Sequence, residues 1–318
     1  MPISKPPFGV YTPLVTFFNE DESIDVVATK QHAKRMAEGG VAGLVLQGSN
    51  GEAPHLDHGE RAQIIRTIRS HLNELRFTKV KLIVGCGAAS VRETLTLISE
   101  ARQAGADYAL VLPPAYWAAA MTPAVVENFF NAVAAEAELP FLIYNFPAVT
   151  SGIDISSDAI IRLAKANPGK IVGCKLTCGN LGKLQRVWSS LPEDEFAAFA
   201  GKSDFMLPGL VAGSNGVIAA LANIVPATHV KLIQLWNEGK LQEARQLQSR
   251  LSNADGALQK VGVAGVKAVV SRYFGYGRGI GRRPLGNTSI DAMSKDVLGP
   301  LEDIIRLEEK YARQSGKL

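Results

Sequence analysis

A lysine and a tyrosine end two short apolar segments, where their side chains can take part in chemistry. Lys175 ends the run Lys170-Ile-Val-Gly-Cys-Lys175, and Tyr144 ends the earlier run Pro140-Phe-Leu-Ile-Tyr144. A lysine among apolar neighbours loses hydration of its ammonium form and can act as an amine nucleophile. A phenol nearby can carry the protons that carbonyl–amine chemistry requires. The pair indicates a Schiff-base enzyme, whereas the alternative is a strand-end lysine that simply reaches solvent.

The turn Gly48-Ser-Asn-Gly-Glu52 is a candidate anion site. Successive backbone N–H groups in such a turn can converge on a carboxylate. Ser49 could also relay a proton to Tyr144, and we expect Glu52 to anchor the loop. The alternative is an ordinary connection between a strand and a helix, where glycine, serine and asparagine are common for conformational reasons.

These residues need a scaffold, and the chain from Gly9 to about Pro226 alternates short apolar runs with longer amphipathic ones. Several of the short runs are almost entirely apolar, as expected of strands that are covered on both faces. The eight predicted strands are Val10–Phe17, Gly43–Gln47, Lys81–Gly85, Tyr108–Leu112, Phe141–Tyr144, Ile171–Lys175, Phe196–Ala200 and Gly216–Ala220.

Helix signals lie between these strands. Ser90-Val-Arg-Glu93 is a capping-box pattern, Thr122-Pro123 is typical of a helix start, and Gly105 of a helix end. An eightfold alternation of strands and helices predicts an α/β fold of the (β/α)8 TIM-barrel type. An open doubly wound sheet would need a glycine-rich turn after the first strand, and the chain has Phe18-Asn-Glu-Asp-Glu22 there.

Beyond about Thr228 the strand signals stop. The periodicity predicts helices at Lys231–Asn237, Leu241–Ser252, Ala257–Arg272 and from about Leu298 to Arg313. We therefore predict a catalytic barrel over residues 1–227, with a C-terminal helical extension, residues 228–318, packed on it.

The composition excludes several classes of protein. With 318 residues, 47% hydrophobic content and a net charge of +4, the chain is too apolar for disorder and too weakly charged to predict nucleic-acid or membrane binding. No uncharged apolar stretch approaches the ~20 residues of a membrane helix. Residues 1–9 show neither a signal-peptide nor a transit-peptide pattern. Three cysteines without disulfide spacing indicate a reducing compartment, so we expect a cytoplasmic protein.

Two other clusters are candidates for a phosphate site and a metal site. The basic run Arg278–Arg283 is either a solvated or interface loop, which we favour, or a phosphate site. His55 and His58 are close in sequence, but a catalytic zinc needs a third ligand and none is evident. We therefore expect neither a metal nor a cofactor.

In barrels of this type, chemistry takes place at the C-terminal ends of the strands. This rule places Lys175 and Tyr144, on adjacent strands, at the same cavity mouth. The other positions that it selects are Thr12, Thr16, the turn at residues 48–52, Pro113-Pro-Ala-Tyr116, Gly201 and Ile218.

Four spaced motifs occur in an order that resembles a known superfamily. They are Gly48-Ser-Asn-Gly-Glu52, Tyr144-Asn-Phe-Pro147, Gly173-Cys-Lys175 and Gly216-Val-Ile218. The chain is similar, over almost its whole length, to the dihydrodipicolinate synthase/N-acetylneuraminate lyase superfamily. The resemblance implies a TIM-barrel class I aldolase whose lysine, here Lys175, forms a Schiff base with a small 2-oxo acid, usually pyruvate.

The same resemblance implies further roles. Tyr144 falls on the proton-transferring tyrosine, Ser49 on the hydroxyl of the proton relay and Asn50 on the carboxylate-binding amide. Tyr116 aligns with a tyrosine that reaches in from a neighbouring subunit in many members, which are commonly homotetramers built as dimers of dimers. We also expect substrate contacts from Gly48, Thr177, Gly201 and Ile218.

Departures from the synthase pattern favour a cleavage reaction. Synthases carry an arginine just after Tyr-Asn-x-Pro, where this chain has Ala148-Val-Thr-Ser-Gly152. Gln47-Gly-Ser-Asn-Gly-Glu52 resembles 4-hydroxy-2-oxoglutarate aldolases, and Lys175-Leu-Thr-Cys-Gly-Asn180 resembles fungal aldolases that cleave L-threo-3-deoxy-hexulosonate to pyruvate and L-glyceraldehyde. The alternatives are a dihydrodipicolinate synthase and, from another class, a non-catalytic 2-oxo-acid-binding barrel.

The missing arginine also bears on the aldehyde half of the substrate. A second carboxylate beside Val149 would be poorly paired, and burying an unpaired charge is costly. A polyhydroxylated aldehyde needs only hydroxyl partners, for which Thr150, Ser151 and Thr177 are candidates. We therefore predict faster cleavage of 3-deoxy-hexulosonates than of 4-hydroxy-2-oxoglutarate, unless Lys202 supplies the missing cation.

Overall fold

The computed structural model describes residues 5–314, which form a closed barrel of eight parallel strands. The strands pair in chain order, and the first closes onto the last. They are β1 Gly9–Pro13, β2 Gly43–Leu46, β3 Lys81–Gly85, β4 Tyr108–Val111, β5 Phe141–Asn145, β6 Ile171–Leu176, β7 Ala197–Ala200 and β8 Gly216–Ile218. The predicted (β/α)8 barrel is confirmed.

Eleven helices accompany the strands within the described residues. They are α1 Val26–Glu38, α2 His58–Glu74, α3 Val91–Ala104, α4 Pro123–Glu136, α5 Ser157–Ala166, α6 Leu181–Ser190, α7 Met206–Val211, α8 Pro226–Asn237, α9 Leu241–Gln259, α10 Gly262–Phe274 and α11 Lys295–Gln314. Over residues 5–314, none combines the length and apolar content needed to cross a bilayer.

The helix boundaries that the sequence indicated have the expected chemistry. The Ser90 side chain accepts from the Glu93 amide, and Thr122 likewise accepts from the amide of Val125, with Pro123 in the first helical position. Gly105 ends α3 with φ +105°, in the left-handed region that glycine tolerates.

Alternate strand residues belong to two apolar layers. Tyr11, Val45 and Ile83 are among those that pack inside the barrel, whereas Leu44 and Leu46 pack between the strands and the helices. Because both faces are covered, the strands appear in the sequence as continuous apolar runs. This arrangement explains why the strand positions could be predicted.

Several predicted boundaries were wrong. The first strand ends at Pro13 rather than Phe17. Ala257 belongs to α9, which continues to Gln259, and α10 begins only at Gly262, where φ is +61°. The proposed division at residue 227 falls inside α8, so a separate C-terminal extension stays a prediction.

A buried carboxylate from α11 caps α8. The residue that precedes α8, Val225, offers no side-chain acceptor. Instead, Glu308 accepts from the amides of Ala227 and Thr228, at 2.9 and 2.8 Å, and from the Thr228 hydroxyl at 2.7 Å. Burial raises the pKa of Glu308. A negative group at a helix N-terminus is favourable, and here it ties the last helix to the helix that follows β8.

We expect Glu308→Ala to destabilise the fold by about 3 kcal/mol, because buried donors at the start of α8 would lose their acceptor. Urea denaturation measures this change. Glu309→Ala, at the exposed next position of α11, is the matched control and should be close to neutral. Equal stability of the two variants would contradict the capping role.

Candidate active site

Lys175 and Tyr144 lie side by side, as register partners on β6 and β5. The Lys175 Nζ atom is 3.1 Å from the Tyr144 hydroxyl oxygen and 4.3 Å from the centre of its ring. Each residue is only 3% exposed. The strand ends thus bring an amine and a phenol together in a place largely removed from water, as nucleophilic catalysis with proton transfer requires.

A β-bulge in β6 gives Lys175 this orientation. Phe141 pairs with Ile171 while Leu142 pairs with Gly173, so β6 contains one extra residue. An extra residue reverses the face on which every following side chain lies. Cys174 accordingly packs between the strands and the helices, where burial raises the pKa of its thiol, and Lys175 faces Tyr144.

A cavity of about 480 Å³ borders the lysine and the tyrosine. The predicted site residues that line it are Ser49, Asn50, Tyr144, Lys175, Thr177, Gly201 and Ile218. Gly201 leaves no room for a side chain, since an added Cβ would lie 2.4 Å from the Thr177 hydroxyl oxygen. Within residues 5–314, that hydroxyl is buried and has no hydrogen-bond partner, which leaves it available to a ligand.

A second cavity, of about 520 Å³, adjoins the first and shares Ser49, Tyr144 and Val149 with it. Gly48 lines this second cavity only. Tyr116 lines neither; it is 81% exposed and packs edge-on against Trp117, with ring centres 5.0 Å apart. A contact of Tyr116 with the substrate of a neighbouring subunit therefore stays a prediction.

The turn after β2 has the form expected of an anion site. Its internal hydrogen bonds use the amides of Gly51, Glu52 and Ala53, and the Thr16 hydroxyl holds the Gly51 carbonyl at 2.8 Å. The amides of Ser49 and Asn50 stand outside this internal bonding. They lie at the tip of the turn, beside the cavity, where a carboxylate could accept from them.

Glu52 anchors the turn to the C-terminal helices through a buried ion pair. Its carboxylate binds the Lys267 ammonium of α10, and both side chains are fully buried. It also accepts from the Arg282 amide at 2.9 Å and lies 3.1 Å from His55 Nδ1. Lys267 additionally donates to the Ile280 carbonyl at 2.7 Å. Burial lowers the pKa of Lys267, and the Glu52 charge opposes that shift.

Lys267 was not among the residues that the sequence predicted for the site. It lies far from the turn in the sequence, within a helix of otherwise ordinary composition. The only signal was the charge of one lysine on the apolar face of α10, where Val266, Val269 and Val270 are also buried.

Three other predictions on polar residues have mixed outcomes. Thr150 and Ser151 do not line the cavity, because the Thr150 hydroxyl donates to the Phe146 carbonyl and the Ser151 hydroxyl to the Ala115 carbonyl. Of the three hydroxyl residues expected to contact the substrate, only Thr177 lines this cavity, and the contacts of Thr150 and Ser151 stay predictions. Lys202 lines it, but its ammonium already donates to Gln259 Oε1 at 3.1 Å.

The arginines of the basic loop form ion pairs with glutamates. Arg278 binds Glu20, Arg282 binds Glu60 and Arg283 binds Glu22. These contacts favour the structural reading of the loop over a phosphate site.

His55 and His58 contact different carboxylates. His58 lies between Glu93 and Glu100, at 3.1 and 2.8 Å, and its pKa is raised by the Glu100 carboxylate.

Comparison with known proteins identifies the family of this chain. The model of the dihydrodipicolinate synthetase family matches residues 6–297. A relative from Emericella nidulans, named as a probable mitochondrial 4-hydroxy-2-oxoglutarate aldolase, is 45% identical over 85% of this chain and 86% of its own. An L-threo-3-deoxy-hexylosonate aldolase from Hypocrea jecorina is 43% identical over 88% and 90%. A crystal structure of a dihydrodipicolinate synthase family protein from Coccidioides immitis superposes with a TM-score of 0.87, at 36% identity, covering 96% and 98%.

These relatives are named as aldolases, and the chain is a lyase of this class. The chain belongs to the dihydrodipicolinate synthetase family.

We expect Lys267→Met to destabilise the protein by about 3–5 kcal/mol, because it leaves the Glu52 carboxylate buried and unpaired. Denaturant unfolding measures this loss, and Lys267→Met combined with Glu52→Gln should recover part of it. Lys260→Met removes an exposed ion pair with Asp296 and should cost little. A Lys267 variant as stable as the Lys260 control would argue against the anchor.

Proposed function

We propose that this protein is a Schiff-base aldolase that cleaves a 2-oxo-3-deoxy sugar acid or a 4-hydroxy-2-oxo acid to pyruvate and an aldehyde. The observation that carries the proposal is the buried contact between the Lys175 amine and the Tyr144 hydroxyl, at 3.1 Å, beside a cavity of about 480 Å³. An amine in this place can condense with a carbonyl group, and the phenol can move the protons.

The reaction begins with attack of the Lys175 amine on the 2-oxo carbon. Water leaves from the carbinolamine and a protonated imine forms. Tyr144, with Ser49 as a relay, takes the proton from the C4 hydroxyl. The C3–C4 bond then breaks and the aldehyde departs. The electron pair of the C3–C4 bond passes to the imine and gives an enamine. Protonation at C3 and hydrolysis release pyruvate and restore the amine.

The carboxylate of the oxo acid is expected to bind the turn at residues 48–52. The amides of Ser49 and Asn50, which take no part in the internal hydrogen bonds of the turn, support this assignment, since both residues line the cavity that contains Lys175. Glu52 and Lys267 would keep the turn in place through the whole cycle. The imine supplies the electron sink, so the scheme uses no metal or cofactor.

Two alternatives are less well supported. A synthase that condenses pyruvate with aspartate semialdehyde needs a cation for the aldehyde's carboxylate, and Val149 lines the cavity where that family group has arginine. A non-catalytic barrel that binds a 2-oxo acid would not need the phenol within hydrogen-bonding distance of the amine.

We also propose a homotetramer and a cytoplasmic location. The exposed pair of Tyr116 and Trp117, 81% and 69% accessible, supports burial of this surface by a neighbouring subunit. The location is the less supported of the two, because the Emericella nidulans relative has a mitochondrial name.

Incubation with pyruvate and borohydride should attach the reduced imine to Lys175. Lys175→Arg should abolish the labelling, because a guanidinium stays protonated and cannot form the imine. Mass spectrometry of the digested protein locates the adduct. Lys183→Arg, which alters another buried lysine that follows β6, is the control and should still be labelled. An adduct at another residue, or no adduct in the wild type, would refute the proposed Schiff base at Lys175.

Tyr144→Phe should lower kcat by about 10²–10⁴, the usual size of a general acid–base contribution. The ring remains to pack against Phe146, so the fold should be preserved. Steady-state release of pyruvate measures the effect, and Tyr276→Phe, which removes a phenol from outside the cavity, is the control. Turnover close to that of the wild type would show that Tyr144 serves only in packing.

A further inference from the structure

The cavity has a second polar region on the side formed by α9, and of its residues only Lys202 was predicted. Lys202 follows β7, and its ammonium donates to Gln259 Oε1 at 3.1 Å. Gln259 Nε2 donates in turn to Asp255 Oδ2 at 3.4 Å. Asp255 is 3% exposed, and all three residues line the cavity that contains Lys175. We call Lys202, Gln259 and Asp255 the distal cluster.

The distal cluster is a charge-balanced unit. Gln259 bridges the ammonium of Lys202 and the carboxylate of Asp255, and Leu258, Val263 and Val266 are apolar lining residues nearby. Of the three polar residues only Asp255 is buried, whereas Lys202 is half-buried and Gln259 is exposed, so water screens the Asp255 charge less than it screens the Lys202 charge. The Lys202 charge is therefore partly neutralised before any substrate arrives. Lys202 is therefore a poor partner for an additional carboxylate while Asp255 is ionised, and it does not replace the missing arginine.

The same cluster suits hydroxyl groups. A carboxylate oxygen accepts from a hydroxyl, and a carboxamide can donate and accept. Among the described residues that line this cavity, Asp255 is the sole carboxylate, so it also repels a second carboxylate on the substrate. A hydroxylated tail meets partners at the distal cluster, whereas a carboxylate-bearing tail meets a like charge.

We propose that Asp255 is a specificity-determining residue that makes the cavity select polyhydroxylated aldehydes over aldehydes that carry a second carboxylate. The proposal rests on the aldolase function and names the substrate class of the same site. Asp255 lies in α9, whereas the proposed Schiff-base lysine lies at a strand end.

Asp255 also has a structural contact, which the test must separate from specificity. Its Oδ2 atom accepts from the Asp204 amide at 3.3 Å, at the start of the short helix Ser203–Phe205. Asp255→Asn keeps an acceptor oxygen for this amide and removes only the charge. A purely structural role would lower thermal stability or slow both substrates equally, and would leave their ratio unchanged.

The experiment compares kcat/KM for L-threo-3-deoxy-hexulosonate with kcat/KM for 4-hydroxy-2-oxoglutarate. We expect the wild type to prefer the hexulosonate, and Asp255→Asn to shift the ratio towards 4-hydroxy-2-oxoglutarate by about tenfold, as expected when a repulsive element against one substrate is removed. Adding Lys202→Met to Asp255→Asn should cancel this gain, because the released cation is what accepts the second carboxylate. Asp204→Asn, the same charge change at an exposed neighbour outside the cavity lining, should leave the ratio unaltered.

A pH series supplies an independent readout. Burial raises the pKa of Asp255 to about 6. The hydrogen bond from the Asp204 amide and the Lys202 charge oppose this shift, while the charge of the Asp204 carboxylate adds to it. Lys202 and Gln259 face the carboxylate, and Lys175 lies in the same cavity. Above this pKa Asp255 is ionised and balances Lys202; below it the balance is lost. The relative kcat/KM for 4-hydroxy-2-oxoglutarate should therefore rise as the pH falls through about 6 in the wild type, and stay flat in Asp255→Asn.

Effects of pH on Lys175 and Tyr144 cancel in the ratio of the two kcat/KM values, because both substrates use these residues. An unchanged ratio in Asp255→Asn, with labelling of Lys175 by pyruvate and borohydride intact, would overturn the role of Asp255 and leave the aldolase function standing. A wild type that prefers 4-hydroxy-2-oxoglutarate would also overturn it. Absence of labelling in the wild type would instead refute the aldolase function, and the specificity role with it.

Discussion

The extra residue in β6 is the constraint on which the site depends. In a parallel barrel whose strands are covered on both faces, each strand residue faces either the interior or the helices, and the choice alternates along the strand. The bulge opposite Phe141 and Leu142 changes that alternation, so Lys175 faces inwards and Cys174 outwards. Without it, the lysine would enter the apolar layer under the helices, where an ammonium has no partner. With it, β6 and β5 place the amine and the phenol in register.

A second dependence is that of the turn at residues 48–52 on the C-terminal helices. The turn would be a short exposed loop if it were held only by its own hydrogen bonds. The buried pair of Glu52 and Lys267, with the Arg282 amide, fastens it to α10 and to the loop that follows. Such a pair gives little net stability, but it becomes costly when one partner is lost, so it specifies one arrangement of the turn. The helices after the barrel are thus part of the active site's framework.

The sequence was sufficient for the parts of this protein that are encoded locally. Apolar runs gave the eight strands, caps gave several helix boundaries, and the strand-end rule selected Lys175, Tyr144 and Gly201. What it could not supply depends on contacts between distant segments. Lys267 and Asp255 look like ordinary charged residues of helices until the fold brings them to Glu52 and Lys202. The hydroxyls of Thr150 and Ser151 bond to backbone carbonyls, and such local contacts cannot be predicted from residue type alone.

The residues proposed for catalysis and those proposed for substrate selection lie on different elements of the fold. The strand ends hold Lys175 and Tyr144, the proposed catalytic groups, whereas α9 supplies Asp255 and Gln259 on another side of the same cavity. Substitutions in α9 can therefore alter the aldehyde that is accepted without moving Lys175 or Tyr144. This division fits the relatives, since two proteins that are 45% and 43% identical to this chain have names that state different substrates. Overall identity reflects the shared barrel, so the choice between a carboxylate and a hydroxylated tail is best sought in the few side chains that line the distal part of the cavity.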